Sequence, residues 1–118
     1  MAVIVVAGVL VFFVKFNLPE PKAGLIINFD NGQVRQFEGR VDPGMTVVQA
    51  IFSSSLGGRF EFRYYLDQNG DVNLSSIGRF ANVGLKSWRF YINGQSVATK
   101  DLDRIQVKSR DLIEARYE

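Results

Sequence analysis

Cysteine and histidine are both missing from these 118 residues, and proline occurs only three times. Without them the chain has no disulfide framework, no Cys/His zinc or iron–sulfur site, no thiol nucleophile and no Ser/His or Cys/His pair. The usual proton shuttle at neutral pH is missing as well. An excess of one charge sign is also lacking. Of 14 Lys+Arg and 12 Asp+Glu in the chain, Lys15, Lys22 and Glu20 lie before residue 23, which leaves 12 and 11 in residues 23–118. Nucleic-acid binders gather a basic excess on one face because phosphate neutralisation supplies most of their affinity. No nucleic-acid partner is expected of a near-neutral, interspersed surface. There is no internal repeat and no low-complexity run.

Apolar residues are abundant at 47%, with 10 Phe and 4 Tyr, enough bulky material for one core and one domain. Their distribution is uneven. Ala2 to Val14 carries no charge or strongly polar group, and the stretch to Leu18 spans about 25 Å as a helix at 1.5 Å per residue, if Lys15 snorkels. Phe12, Phe13, Val14, Lys15 and Phe16 occupy the place of a small-x-small cleavage pattern, so an uncleaved signal anchor is expected over residues 1–18. The alternative is a β-branched strand buried in an assembly. Lys15 and Lys22, taken alone, would hold the domain on the cytoplasmic side. Residues 19–23, with Pro19 and Pro21, form a short stiff linker.

From residue 24 onward the pattern is that of a small α+β domain. Leu25–Phe29 and Val34–Arg40 flank Asp30-Asn31-Gly32-Gln33, and Asn-Gly between apolar runs is a strong hairpin signal. Thr46 with Gln49 three residues later forms a capping-box pattern for a helix from Val47 to about Ser55, with Val47, Val48, Ile51 and Phe52 on its buried stripe and Gly57-Gly58 as its stop. Phe60 to Leu66 alternates, with Phe60, Phe62, Tyr64 and Leu66 on the core face and Glu61, Arg63 and Tyr65 opposite. Further strands are expected at Val72–Ile77, Trp88–Ile92 and Leu112–Tyr117, with Gly78–Lys86 as a surface loop and Leu102, Ile105 and Val107 in irregular chain at the core edge. Hairpin, helix and then strands predict a β-grasp-like mixed sheet with one short helix packed on it, preceded by the apolar N-terminal helix.

The polar motifs give no active site. Asp67, Asn69 and Asp71 have the 1, 3, 5 spacing of a calcium loop, but Val72 and Gly78 stand where the sixth-position Gly and twelfth-position Glu belong, which makes this a solvated hairpin tip. Asp101, Asp103 and Asp111 with Lys100 and Arg104 form a surface charge network. No catalytic residue, metal ligand or cofactor is assigned, and the protein is expected not to be an enzyme. Aromatic side chains offer more. Tyr65, Phe80, Asn82, Trp88, Arg89 and Tyr91, on or beside the loop from Ile77 to Trp88, are the candidate ligand-binding set, since aromatics with Arg on an outer face form a platform for a flat ligand, a sugar or a protein. The same residues could equally pack beneath the loop.

Thr46-Val47-Val48-Gln49-Ala50-Ile51, Ser76-Ile77-Gly78, Trp88-Arg89-Phe90-Tyr91-Ile92-Asn93-Gly94-Gln95 and Asp111-Leu112-Ile113-Glu114-Ala115-Arg116-Tyr117 together resemble the transcobalamin-like C-terminal domain family over about residues 24–118. That family comprises microbial surface modules similar to the β-domain that closes over cobalamin in its carriers. Its final strand is introduced by Gly-Asp, where this chain has Arg110-Asp111, and Arg89 interrupts its aromatic run. The resemblance implies a β-grasp-like domain displayed extracytoplasmically. The expected function is therefore a single-pass, cell-membrane-anchored, extracytoplasmic module, attached through residues 2–18, that presents an aromatic loop to a protein or small-molecule ligand. One alternative is a structural subunit of a filament or envelope assembly, a homo-oligomer packed through the apolar N-terminus. A further alternative is a small-molecule carrier of cobalamin type.

Overall fold

The computed structural model describes residues 20–118. The anchor expected over residues 1–18 and the start of the linker lie outside them, and no helix within them is long and apolar enough to cross a membrane. The first hairpin forms as its turn chemistry requires. β1 (Lys22–Asn28) pairs antiparallel with β2 (Val34–Arg40), Lys22 opposite Arg40 and Asn28 opposite Val34. Between them the Asn28 and Asn31 side-chain oxygens accept from the backbone N–H groups of Asp30 and Gln33 at 3.1 and 3.0 Å, the Asx geometry that lets these residues turn a chain.

α1 (Val47–Gly58) starts at the capping box: Thr46 Oγ1 accepts from Gln49 N, and the Gln49 side chain accepts from Thr46 N. Its other end departs from the expected stop. The helix runs through Gly57 and Gly58 and ends at Arg59, which takes the left-handed conformation at φ 57° and donates its N–H to Ser55 O. Gly58 stays helical because its missing side chain makes room for packing: a β-carbon there would stand 2.4 Å from a Phe37 ring carbon. The buried stripe also rotates from the expected one. Val47, Val48 and Ile51 are buried, but Phe52 is 43% exposed and Ser55 is buried in its place. Ser55 is small, and its hydroxyl is satisfied by Phe52 O, so that face can approach the sheet where a ring could not.

The strands divide into two sheets rather than the expected single one. The larger has the order β2-β1-β8-β6-β7, with β6 (Trp88–Ile92), β7 (Gln95–Val97) and β8 (Leu112–Tyr117); β8 runs parallel to β1, from Gly24 opposite Leu112 to Asn28 opposite Arg116. The smaller is β3 (Phe62–Leu66), β4 (Val72–Ile77) and β5 (Phe80–Ala81), all antiparallel. β3 begins two residues later than its alternation suggests and carries an irregularity between Arg63 and Tyr64, the kind of local twist that re-aims a strand. Gly78, at φ 61°, folds β5 back onto β4 within what the sequence presents as loop. A residue with a side chain would be strained there.

Alternation places the core on one face of the larger sheet. Leu25, Ile27, Phe90, Ile113 and Ala115 are buried, and Val47, Val48, Ile51 and Leu102 meet them from the other layer. Leu102 follows the 3-10 turn Thr99–Asp101, whose neighbours tie the irregular chain to the helix: Val47 N donates to Ile105 O and Val48 N to Leu102 O. At roughly 1.5–3 kcal/mol for each large apolar side chain buried, this cluster dominates stability. Arg110, which stands where the resembled family has glycine, is left-handed at φ 72°, so the backbone that a glycine would favour is kept despite the substitution.

The Asp67 hairpin tip is closed by its own carboxylate. Asp67 Oδ1 accepts from Asn69 N at 2.8 Å and Asp71 N at 3.1 Å. Arg104 then bridges Asn69 O at 2.7 Å, Asp71 and, at 3.0 Å, Asp101, so a guanidinium supplies the positive charge at this tip. Asp103 and Asp111 belong elsewhere, the first accepting from Thr46 Oγ1 and the second from Asn93 and Lys108 N. The hydrogen bond from Asp71 N, then those from Asn69 N and Asn73 and the charge of Arg104, hold the Asp67 carboxyl below its ordinary 3.8, against desolvation. A depressed folded-state pKa contributes stability that is complete above the unfolded value and is lost as pH falls through the folded one. The melting-temperature gap between the wild type and Asp67→Asn is therefore expected to narrow as pH drops from about 5 to about 2. A gap constant over that range would mean the carboxylate charge contributes nothing.

Candidate ligand-binding site

The loop between β4 and β6 is braced from below by the residues that the sequence marks as candidate contacts. Asn82 is its clamp: Nδ2 donates to Leu74 O at 2.9 Å, and Oδ1 accepts from Trp88 N at 2.7 Å. Trp88 is 3% exposed, and its indole Nε1–H donates to Phe80 O at 2.8 Å. Tyr117 OH donates to Ala81 O at 2.7 Å. The rings of Phe29, Phe80, Trp88 and Tyr117 stack into one cluster, with centroid separations of 5.2 Å for Phe29–Phe80, 5.3 Å for Phe80–Tyr117 and 5.1 Å for Trp88–Tyr117. Such tilted and edge contacts add about 0.5–1.5 kcal/mol per pair beyond area burial. Phe80, Asn82 and Trp88 thus support the loop through these contacts.

Above this support the chain makes a tight turn. Val83 and Lys86 exchange backbone hydrogen bonds at 3.1 Å, Lys86 pairs with Asp30 across the first hairpin, and its ammonium lies 5.9 Å from the Tyr117 ring centroid. Two large apolar residues are left outward on it: Val83 is 63% exposed and Leu85 fully so. No sequence signal singled out these two, because a lone Val and a lone Leu in a loop without periodicity carry none.

The other three candidate residues lie apart. Arg89 and Tyr91 sit on the outer face of the larger sheet, opposite Arg116 and Glu114. The Arg116 guanidinium lies 3.9 Å from the Tyr91 ring centroid, and the Tyr91 hydroxyl donates to Glu118 at 3.0 Å. Its hydrogen bond to Glu114 raises the Arg116 pKa above its already high value. Tyr65 is 60% exposed on β3 of the smaller sheet. The six residues form a loop support, a patch on the outer sheet face and an isolated ring.

A concavity lies between α1 and the edge strand β2, about 340 Å³ in volume, with Phe37, Val41 and Met45 on one side and Ala50, Ser53, Ser54 and Gly57 on the other. The sequence held a signal for it, since positions 50, 53, 54 and 57 are one helix face made only of small residues. Among the described residues no three Asp or Glu side chains gather as a metal site.

The position of the loop follows from register. β1 enters beside Arg40 and leaves beside Val34, rising about 3.3 Å per residue. Its exit residue, Phe29, meets Phe80 and Trp88. Ser87 and Glu118 exchange backbone hydrogen bonds at the same end. The loop and the final residue therefore lie at the end of the sheet opposite Lys22.

No protein-family profile and no curated protein matches this sequence. Solved structures do match its fold. A Ruminococcus gnavus protein described as a candidate metal binder is 15% identical, with 84% of this chain and 97% of that one covered and a TM-score of 0.67. Haptocorrin, solved in complex with Cbi, is 11% identical, with 88% of this chain covered and a TM-score of 0.68. This chain spans about a quarter of haptocorrin's length, 26%. At such identities the likeness is one of fold.

Proposed function

We propose that this chain is a non-enzymatic, extracytoplasmic binding module, held at a membrane by residues 2–18 and engaging its ligand at the loop end of a β-grasp-like domain. The observation that carries this reading is the pair Val83 and Leu85, exposed apolar side chains on a loop braced by Asn82, Trp88 and Tyr117. A rigid scaffold that presents apolar groups to solvent is the arrangement of a binding loop. The loop lies opposite the linker, so a domain tethered near Lys22 turns it away from the membrane. Two further points support the reading: β1 and β8 pair in parallel beside a covering helix, as the β-grasp arrangement requires, and the fold is shared with haptocorrin, a protein solved in complex with Cbi.

The tip and the anchor are tested separately. Changing Val83 and Leu85 together to serine is expected to leave the melting temperature within about 3 °C of wild type, since exposed positions away from special contacts contribute within about 0.5 kcal/mol. A larger fall would mean that the tip packs within the fold and is not offered to a ligand. For the anchor, the full chain is expected in the membrane fraction, released only by detergent and digested by protease added outside intact cells. Recovery without detergent, or protection until the cells are lysed, would overturn the tethered extracytoplasmic reading.

A further inference from the structure

At the base of the loop, between the β1–β2 turn, the chain entering β3 and the β4–β5 turn, lies a groove of about 460 Å³. Small-molecule sites commonly measure about 300–1,000 Å³. Phe29, Phe60 and Phe80 supply apolar surface, and among the described residues Arg35 and Arg79 are the only ionisable groups in its lining. The backbone at Gly78 completes the floor at φ 61°, where a β-carbon would stand 3.5 Å from the Phe29 ring.

Arg35 is fixed before any ligand arrives. Its guanidinium carbon lies 5.0 Å from the Phe37 ring centroid and 5.6 Å from that of Phe60, and Nη2 donates to Gly58 O at the C-terminal end of α1 at 2.8 Å. Among the described residues neither Arg35 nor Arg79 has a carboxylate within ion-pair distance. The nearby acids are engaged elsewhere, Asp30 with Lys86 and Glu61 with Arg63. Two guanidinia beside three phenyl rings, with no acid among the described lining residues, complement an anion attached to an apolar body, because planar guanidinium groups bind oxyanions through paired N–H donors.

We infer that this groove binds a small molecule bearing a phosphate, carboxylate or sulfonate on a flat apolar body, the oxyanion held by Arg35 and Arg79 and the body laid against Phe29, Phe60 and Phe80. The inference rests on the loop end being the binding end, and it specifies the ligand class there.

The test uses the full ¹⁵N-labelled chain in a mild detergent, titrated with phenyl phosphate, phenol and inorganic phosphate while amide resonances are followed. Phenyl phosphate is expected to shift the amides of Gln33, Gly78, Arg79 and Phe80 saturably. Phenol and inorganic phosphate are expected to bind at least tenfold more weakly, and Arg35→Gln and Arg79→Gln each to weaken phenyl phosphate about tenfold, the loss of one charge-assisted contact. Arg79 is exposed, so its variant keeps the test valid should Arg35→Gln disturb the fold. Equal binding of phenol, shifts confined to residues 83–86, or no saturation by about 10 mM, weak even for a ligand of this size, would each overturn the groove assignment. None of those results would touch the loop-tip and membrane tests above, so the two readings fail separately.

Discussion

Phe90→Ala is expected to cost about 3–5 kcal/mol of folding stability, the range for removing a buried ring when the surroundings collapse only in part. Phe90 is 1% exposed in β6, flanked in register by Ala115 of β8 and Val97 of β7. Its neighbour on the central strand is only a methyl group, so the ring itself fills that part of the core. A domain of this size holds about 5–15 kcal/mol in total, and the variant should approach the margin of folding. Equilibrium unfolding in denaturant measures this. Phe90→Leu, which retains most of the volume, provides a second point at a cost below about 1.5 kcal/mol. A loss under about 1 kcal/mol for the alanine variant would mean that the ring is not in the core.

Trp88→Ala is expected to be comparable in size, about 3–5 kcal/mol, but to act through the loop as well. It removes the ring that packs on Phe29 and Tyr117 and the indole N–H that satisfies Phe80 O. Hydrogen-exchange protection of the Val83 and Lys86 amides, which depends on the small turn beneath the tip, should fall further than protection in β1 and β8. Trp88→Phe separates the two contributions. It keeps an aromatic body and removes only the indole hydrogen bond to Phe80 O, for an expected loss of about 0.5–1.5 kcal/mol. If protection of the loop amides survived Trp88→Ala, the loop would be held by Asn82 and Tyr117 alone. The brace would then be less cooperative than its hydrogen bonds suggest.

Much of the fold was legible in the chain. The first hairpin announces itself in Asp30-Asn31-Gly32-Gln33, the helix start in Thr46 and Gln49, and the last strand in Leu112–Tyr117, because each depends on interactions within a few residues. The helix end was not legible. Gly57-Gly58 is a local stop signal, yet packing against Phe37 keeps Gly58 in the helix and passes the left-handed turn to Arg59. β5 and β7 escaped notice for a related reason. Two- and three-residue strands exist only because β4 and β6 provide edges for them, and no period can be read from so few residues.

The candidate site divides along the same line. Aromatic content around Ile77–Trp88 pointed to this segment, and the sequence left open whether those rings pack or bind. Trp88 packs, and the apolar groups that face water, Val83 and Leu85, carry no pattern of their own. Arg35 and Arg79 are 44 positions apart in the chain, and only the approach of the β1–β2 turn to the β4–β5 turn places them in one groove.

By itself the sequence determined the excluded chemistries, the near-neutral charge of the domain, the hairpin and helix starts and the alternation of the main strands, since composition and short-range turn and cap chemistry act without reference to distant residues. Only the tertiary structure decided the division into two sheets, the burial of Ser55 in place of Phe52, and the split between supporting and exposed groups at the loop. Those outcomes depend on which surfaces meet across long separations in the chain, where close packing and the need to satisfy every buried polar group override local preference.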